Sequence, residues 1–259
     1  MKLNFHLTIL ATIALLTPIC LTSVVNAEIE ISQQEVIAQN IKFQTPEIRE
    51  QGDRMNTAVN GGTRNRCAFK DGLTALIPET NIGLTLAEYP KFFVYLPALE
   101  VLKKDRCSDF LPEEIRVEFD LGDEADKSKS VYVTEFKLPN TKGIIRIDLP
   151  DDGSIPVLAV GQKYQWVVSI VIDPFDRSKD MYVYGWIKRI ETFPTLLQQL
   201  KTTTLDNHPK VYAEAGIWHE TLDSLATLRQ SNPNNSTFLI QWQDILKSVG
   251  LETVADAPY

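Results

Sequence analysis

The histidines of this chain are the first candidates for chemistry. His219 and Glu220 begin as a zinc-protease helix begins, with a histidine followed directly by a glutamate. That helix needs a second histidine four positions after the first, but this chain has Asp223 there, so the ligand set is incomplete. We therefore predict no metal here and a solvent-facing pair beside Trp218. His208 precedes a proline and is predicted to be a turn residue at a helix start.

Two predicted loops are rich in carboxylates, the ligands that calcium prefers. Calcium takes about six to eight oxygen ligands, but neither loop has the EF-hand spacing and both contain lysine or arginine. We predict solvated loops and no metal site. A glycosidase would need two carboxylates facing a sugar cleft, so a hydrolase with an unrecognised site is the third alternative for function. The loops hold Asp120, Asp123, Glu124 and Asp126, and Asp173, Asp176 and Asp180.

Three aromatic residues, Tyr182, Tyr184 and Trp186, alternate along one predicted strand. Because successive side chains of a strand point to opposite faces, these three share one face, while Met181 and Val183 lie on the other. An exposed aromatic strip would be a surface for binding a carbohydrate or a peptide. The alternative, which we favour, is that the C-terminal helices pack over this face.

Motifs for nucleotide binding or covalent catalysis do not occur in the sequence. No glycine-rich phosphate loop lies between a strand and a helix, and there is no Gly-x-Ser-x-Gly elbow. We assign no catalytic residues and no cofactor. The formal net charge of −8 disfavours a nucleic acid partner, because the phosphate backbone repels an acidic protein.

The first 27 residues have the pattern of a secretory signal peptide. Lys2 precedes an uncharged, mostly apolar run from Leu7 to Val25, and Val25 and Ala27 occupy the −3 and −1 positions of a cleavage site. We expect cleavage after Ala27 and an exported protein, periplasmic or extracellular. An uncleaved anchor helix is the alternative. No later apolar run approaches the roughly 20 residues of a membrane span, so none is expected after cleavage.

Two cysteines, Cys67 and Cys107, remain after cleavage, because Cys20 leaves with the signal peptide. An even pair in an oxidising compartment is expected to form a disulfide. Two free thiols are the alternative. Lipidation of Cys20 is disfavoured, because bulky Ile19 stands where a small residue is expected.

Alternation of apolar and polar residues predicts strands from residue 73 onward. The segments concerned are 73–77, 84–88, 92–96, 115–121, 132–138, 145–149, 164–172 and 181–190, separated by Pro, Gly and Asp turns. No helical period lies between them, so parallel crossovers are not expected. Short strands at this spacing favour an antiparallel, immunoglobulin-like β-sandwich over residues 67–191, with Trp166 in its aromatic core.

The hydrophobic period changes to that of helices after Thr192. We predict one helix starting at Pro194, a second running from Pro209 to Leu228, and a third that begins near Asn235 and stops at Gly250. The helical segment 192–252 is expected to pack on the sandwich. Sparse apolar residues and a Gly/Asn-rich stretch predict a mostly disordered leader over 28–66, and residues 253–259 are predicted to be a flexible tail.

The order of several motifs is that of a known family. They are the runs Leu73 to Pro78, Gly83 to Thr85, Tyr89-Pro90, Phe92 to Pro97, Asp173 to Ser178, Gly185 to Ile187, and Ala215 to Trp218 followed by Leu222. Over residues 66–252 the chain thus resembles the cyanobacterial domain-of-unknown-function 928 family. The resemblance implies an exported bacterial protein and supplies no catalytic residues, because the family's function is unassigned. A cysteine often precedes the Asp-Pro turn in that family, where this chain has Ile172.

These observations favour a non-catalytic, exported interaction module of the cell envelope that binds a protein partner. The first alternative is a carbohydrate-binding module of the envelope that uses Tyr182, Tyr184 and Trp186. The sequence does not specify the partner, the glycan or the oligomeric state.

Overall fold

The structure, a computed structural model, describes residues 41–47, 72–104, 114–126 and 129–259. Three expectations fall outside these ranges: the signal peptide, the disulfide between Cys67 and Cys107, and all of the leader apart from residues 41–47. Within the described ranges, no helix combines the length and apolarity needed to cross a bilayer.

Seven of the eight β-strands in the described chain lie close to the segments predicted from the two-residue alternation, and the second, predicted at 84–88, is shifted to Ile82–Thr85. In a three-stranded sheet the order is β1-β3-β6, and in a five-stranded sheet it is β2-β8-β7-β4-β5. The strands are β1 (Thr74–Ala75), β2 (Ile82–Thr85), β3 (Lys91–Leu96), β4 (Arg116–Asp123), β5 (Ser130–Lys137), β6 (Gly143–Asp148), β7 (Lys163–Val171) and β8 (Met181–Arg189).

The two sheets share the main hydrophobic core. The ring of Phe92 on β3 lies 5.0 Å from that of Phe119 on β4 and 5.5 Å from that of Trp166 on β7, measured between centroids. Along β4, buried Val117, Phe119 and Leu121 alternate with more exposed residues, because only one face of the strand meets the other sheet. The expectation of two antiparallel-rich sheets accompanied by helices is confirmed.

One strand pair differs from the expected antiparallel arrangement. β2 runs parallel to β8, with Ile82 opposite Trp186 and Thr85 opposite Arg189, whereas the other described pairs are antiparallel. Parallel neighbours need a long connection, and the five strands between β2 and β8 in sequence provide it. The alternation within β2 predicts that it is a strand but not which strand it joins.

Five α-helices lie in the described chain: α1 (Leu99–Lys104), α2 (Pro194–Thr202), α3 (His208–Glu214), α4 (Trp218–Ser231) and α5 (Ser236–Ser248). Helix α1, between β3 and β4, is not anticipated by the sequence analysis. The expectation of a single helix from Pro209 to Leu228 is wrong, because the chain turns between α3 and α4. Gly216 has a φ of +73° at this turn, a conformation that ends a helix and that glycine adopts without steric cost.

Helices α4 and α5 pack on the face of the three-stranded sheet that points away from the main core. Phe93 and Tyr95 alternate with Phe92 along β3 and join Trp218 of α4 and Trp242 of α5 in a second core. The ring centroids of Phe93 and Trp242 are 5.7 Å apart. The three-stranded sheet is therefore covered on both faces, by the five-stranded sheet and by helices.

Part of the expected leader belongs to this second core. Ile41 and Phe43 are only 4% and 8% exposed, and both contribute to the second core. The prediction of disorder is therefore corrected for residues 41–47, because two apolar side chains find a site in the helical layer that the sequence does not reveal.

The C-terminal segment 253–259 also packs rather than projecting as a free tail. Val254 and Ala255 are buried. The ring of Tyr259 stacks on that of Trp242, with centroids 5.5 Å apart. The backbone carbonyl of Pro258 accepts a hydrogen bond from a strand β6 amide.

Candidate binding face

The outer face of the five-stranded sheet carries the aromatic residues singled out from the sequence. Met181, Val183 and Ile187 of β8 enter the main core, so the alternating Tyr182, Tyr184 and Trp186 point the other way. In register, Tyr182 lies beside Ser169 and Glu118, Tyr184 beside Val167 and Asp120, and Trp186 beside Gln165 and Gly122. These rows cross three neighbouring strands, and we call them the outer face.

The strip is exposed at one end and buried at the other. Tyr182 is 38% exposed and Tyr184 is half-buried, but Trp186 is only 5% exposed. The ammonium of Lys163 lies 4.4 Å from the centroid of the Trp186 ring and pairs with Glu124 at 2.8 Å. A fully exposed strip is therefore not what the structure shows, because a lysine from the neighbouring strand lies over the indole.

The expectation that the C-terminal helices cover the aromatic strip is wrong. Helices α4 and α5 pack mainly on the three-stranded sheet, and α4 meets the five-stranded sheet at its edge strand β2. Leu196 of α2 and Ile217 form a small separate core with Leu84, so helix α2 meets the five-stranded sheet at its β2 edge. Tyr182 accordingly stays accessible.

A depression of about 180 Å³ lies in this face beside Trp186. This is smaller than the roughly 300 Å³ or more of typical small-molecule pockets, so the depression suits a single chemical group. A Cβ added at Gly122 would meet only the carbonyl oxygen of Gln165, at 3.9 Å, so the missing side chain leaves room here. The lining residues are Asp120, Gly122, Asp123, Glu124, Lys129, Ser130, Gln165, Val167 and Trp186.

Two residues that line the depression carry buried polar atoms without a hydrogen-bond partner among the described residues. They are Oδ1 of Asp120, an acceptor, and Nε1 of Trp186, a donor. Buried polar groups are normally paired, since an unpaired one costs about 1–3 kcal/mol. Two residues beside the depression therefore have unmet hydrogen-bonding capacity, one as an acceptor and one as a donor.

Carboxylates in the two acidic loops are paired with nearby hydrogen-bond donors or cations. In the first, Oδ1 of Asp123 accepts hydrogen bonds from the backbone of Ala125 at 2.8 Å and from Gln162 at 2.6 Å. In the second, Lys179 pairs with Asp173 at 2.8 Å and its hydrogen bond lowers the pKa of that carboxyl. Within the described ranges, no three His, Cys, Asp or Glu side chains cluster as a metal site would require.

The expectation of a solvent-facing His219–Glu220 pair is wrong, since His219 is buried and Glu220 is half-buried at the start of α4. Oε1 of Glu220 accepts hydrogen bonds from the Thr85 hydroxyl at 2.7 Å and from the amides of Leu86 and Ala87, both at 2.9 Å. Burial raises the pKa of Glu220 despite these bonds. This carboxylate joins the first turn of the helix to the end of β2.

His219 joins the same helical turn to β3. Its Nδ1 lies 2.9 Å from the carbonyl oxygen of Lys91. A carbonyl oxygen only accepts, so Nδ1 carries a hydrogen and donates this hydrogen bond. Burial lowers the pKa of His219 to about 4. The neighbouring Trp218 donates from Nε1 to the Leu76 carbonyl at 2.9 Å. The sequence shows these residues on a helix, but only the contacts with β2 and β3 make them a buried clamp.

His208 lies at the start of α3, as predicted. Its Nε2 is 3.1 Å from the carbonyl oxygen of Leu200 and 3.2 Å from that of Thr203. The imidazole thus faces the backbone carbonyls at the end of α2, which gives it a role in the turn between the two helices.

Comparison with known proteins identifies the domain but no activity. A family model described as Domain of Unknown Function (DUF928) matches residues 59–259. No curated protein matches the chain.

Proposed function

The chain belongs to the DUF928 family, whose description assigns no activity, and we propose that it is a non-catalytic, exported interaction module that binds a partner protein through the outer face. The observation that carries this proposal is that helices α4 and α5 pack mainly on the three-stranded sheet, which leaves Tyr182 accessible at one end of the aromatic strip. Tyrosine is enriched at protein interfaces because it combines a large apolar ring with a polar tip.

Charge and shape on the outer face support a protein partner. Val133 on the edge strand β5 is 49% exposed. Two carboxylates in the cross-strand row of Tyr182 form ion pairs, Glu135 with Arg116 at 2.8 Å and Glu118 with Arg177 at 3.2 Å. Exposed apolar and aromatic side chains beside ion pairs resemble the mixed composition of protein interfaces.

Site-specific photo-crosslinking tests this proposal. A photoreactive amino acid replaces Tyr182 in cells that produce the protein, and a matched control places it at Leu239, which is 40% exposed on helix α5. We expect one discrete covalent protein adduct from position 182 and none of that size from position 239. Substitution Gly122→Leu, which fills the depression, should reduce this adduct. Equal labelling from both positions would reject the outer face as the interface.

A second candidate function, recognition of an envelope carbohydrate, is favoured by the unpaired atoms of Asp120 and Trp186. A sugar hydroxyl both donates and accepts, so it matches in kind the unpaired acceptor of Asp120 and the unpaired donor of Trp186, two residues that line the depression. The depression suits a single such group rather than a whole oligosaccharide.

Calorimetric titration with envelope polysaccharide fragments separates the two candidates. Under the carbohydrate hypothesis, the wild type binds, Gly122→Leu abolishes binding, and Trp186→Phe weakens it by removing only the indole N–H and part of the ring. Thermal unfolding of each variant serves as the control for folding. Unchanged binding by Gly122→Leu would exclude the depression as the sugar site.

Export and the immunoglobulin-like relation of the two sheets are also part of this proposal. The N-terminal pattern ending at Ala27 supports export, and Trp166 buried between the sheets supports the immunoglobulin-like comparison. Determining the N-terminal residue of the protein isolated from cells tests export directly: we expect Glu28.

A further inference from the structure

A short extended segment, residues 41–47, lies on the helical layer although it precedes the family domain in sequence. The family match begins at residue 59. Ile41 and Phe43 are buried while Lys42 and Gln44 between and after them are exposed. This alternation is how an extended peptide presents one face to a receptor.

The segment binds through both its backbone and its side chains. The Phe43 ring lies edge-on to that of Trp218, with centroids 4.9 Å apart. The Phe43 amide donates to the Ser248 hydroxyl at 3.1 Å, and the Gln44 amide donates to the Ala213 carbonyl at 2.9 Å. The receptor is thus a groove formed where α3 ends, α4 begins and α5 ends.

The floor of this groove is fitted to the backbone of the segment. A Cβ added at Gly216 would lie 2.9 Å from the carbonyl oxygen of Gln44 and 3.0 Å from Cδ of Pro46. Gly216 is therefore the residue that lets the peptide approach the α3–α4 turn. The positive φ of Gly216 forms the turn between α3 and α4, and its missing side chain lets Gln44 and Pro46 lie against that turn.

We propose that this groove is a peptide-binding site and that residues 41–47 are its ligand in cis. The ligand class is an extended segment with an aliphatic residue, an aromatic residue two positions later and a proline three positions after that, here Ile41, Phe43 and Pro46. A peptide that presents the same pattern enters the groove only when the chain's own segment has left it. The outer face plays no part in this site.

Competition within one chain predicts how the site behaves. Ligand and groove belong to the same polypeptide, so the effective concentration of the segment is of order millimolar. A free peptide at micromolar concentration therefore cannot displace it from the wild-type chain. Emptying the groove by substitution should expose the site to the same peptide added in trans.

Fluorescence anisotropy with a labelled synthetic peptide of residues 39–48 tests this on the full chain. The double variant Ile41→Ser, Phe43→Ser should bind the peptide at least tenfold more tightly than the wild type. The matched control Lys42→Ser changes an exposed side chain of the same segment and should behave as the wild type. A folded double variant that does not bind the peptide would overturn the proposal.

A second protein keeps the test decisive if the double variant fails to fold. A full chain with a protease site introduced over residues 50–56 keeps the native segment, and cleavage removes only its covalent connection to the domain. After cleavage and dilution, the labelled peptide should bind, and excess unlabelled peptide should compete. A wild-type dimer that becomes monomeric in the double variant would overturn the cis assignment, because the segment would then come from a second copy.

Discussion

Acidification should destabilise this protein through His219. The side chain is buried, with its ring 5.3 Å from that of Phe92, and only Nδ1 has a hydrogen-bond partner among the described residues, the Lys91 carbonyl. A second proton would have to go on Nε2. That atom would lie 2.7 Å from a Cβ added at Gly83, so it faces the β2 backbone rather than solvent. For this reason burial lowers the pKa of His219 to about 4.

The sign and size of the effect follow from proton linkage. In the unfolded chain the imidazole titrates near its ordinary pKa of 6.5, so between pH 6.5 and 4 the unfolded state binds more protons than the folded state. The free energy of unfolding therefore holds its full value above pH 6.5 and falls as the pH drops. A tenfold difference in proton affinity is worth about 1.4 kcal/mol, so the loss approaches about 2 kcal/mol at pH 5 and about 3 kcal/mol at pH 4.

Other groups titrate in the same range, so a matched variant isolates the histidine. His219→Asn keeps an N–H donor that can face the Lys91 carbonyl but removes the titratable ring. Glu220 acts in the opposite direction: its pKa is raised by burial, so its ionised form is unfavourable in the folded state, and its contribution falls as pH rises through the raised value. Comparing two proteins that both contain Glu220 cancels this effect.

The assay is urea unfolding of the wild type and His219→Asn at pH values from 7.5 to 5. The variant is less stable throughout because it leaves a cavity, but the gap between the two proteins should shrink by about 2 kcal/mol at pH 5. An NMR titration of the His219 imidazole signal, assigned by its loss in His219→Asn, should place the transition far below its ordinary range. A gap that stays constant with pH, or a His219 signal that titrates near 6.5, would refute the reasoning.

Three further predictions test packing and cysteine chemistry. Gly216→Ala should lower the free energy of unfolding by at least about 1–2 kcal/mol in urea titration, because alanine is strained at the positive φ found there. Gly185→Ala should cost about 1–3 kcal/mol by overpacking, since its Cβ would lie 2.9 Å from the Trp166 ring; a calorimetric melting temperature equal to that of the wild type would contradict this. Thiol counting on the denatured mature protein should find no free thiol before reduction and two afterwards if Cys67 and Cys107 form the proposed disulfide; two thiols before reduction would exclude it.

The local pattern of the sequence predicts most of the secondary structure, because alternation and helical period depend on neighbouring residues. The predicted segment 115–121 alternates over its whole length and forms most of strand β4, Arg116–Asp123. The helix predicted from Asn235 is α5, and Asn235 caps it. The predicted helix from Pro209 to Leu228 fails at Gly216. Apolar residues on both sides of the break keep a helical spacing, although the backbone turns between them.

The candidate site is only partly predictable for a related reason. The sequence places Tyr182, Tyr184 and Trp186 on one face, and the register of β8 bears this out. It does not show that Lys163 lies over Trp186 or that Gly122 leaves a depression nearby, because both depend on how β8 and β4 flank β7. The acidic loops are visible in the sequence, but their ion pairs are not.

By itself, the sequence determines the strands, the helical segment and the alternating faces of each strand, because short-range periodicity encodes them. The tertiary structure alone decides which face is covered, that β2 runs parallel to β8, that His219 is buried, and that residues 41–47 occupy a groove. Each of these rests on contacts between distant positions, such as the bond from Phe43 to Ser248 across 205 residues. The free energy of burying a side chain depends on which groups surround it in space. The sequence pattern shows which residues are apolar enough to be buried, but not which other residues they contact.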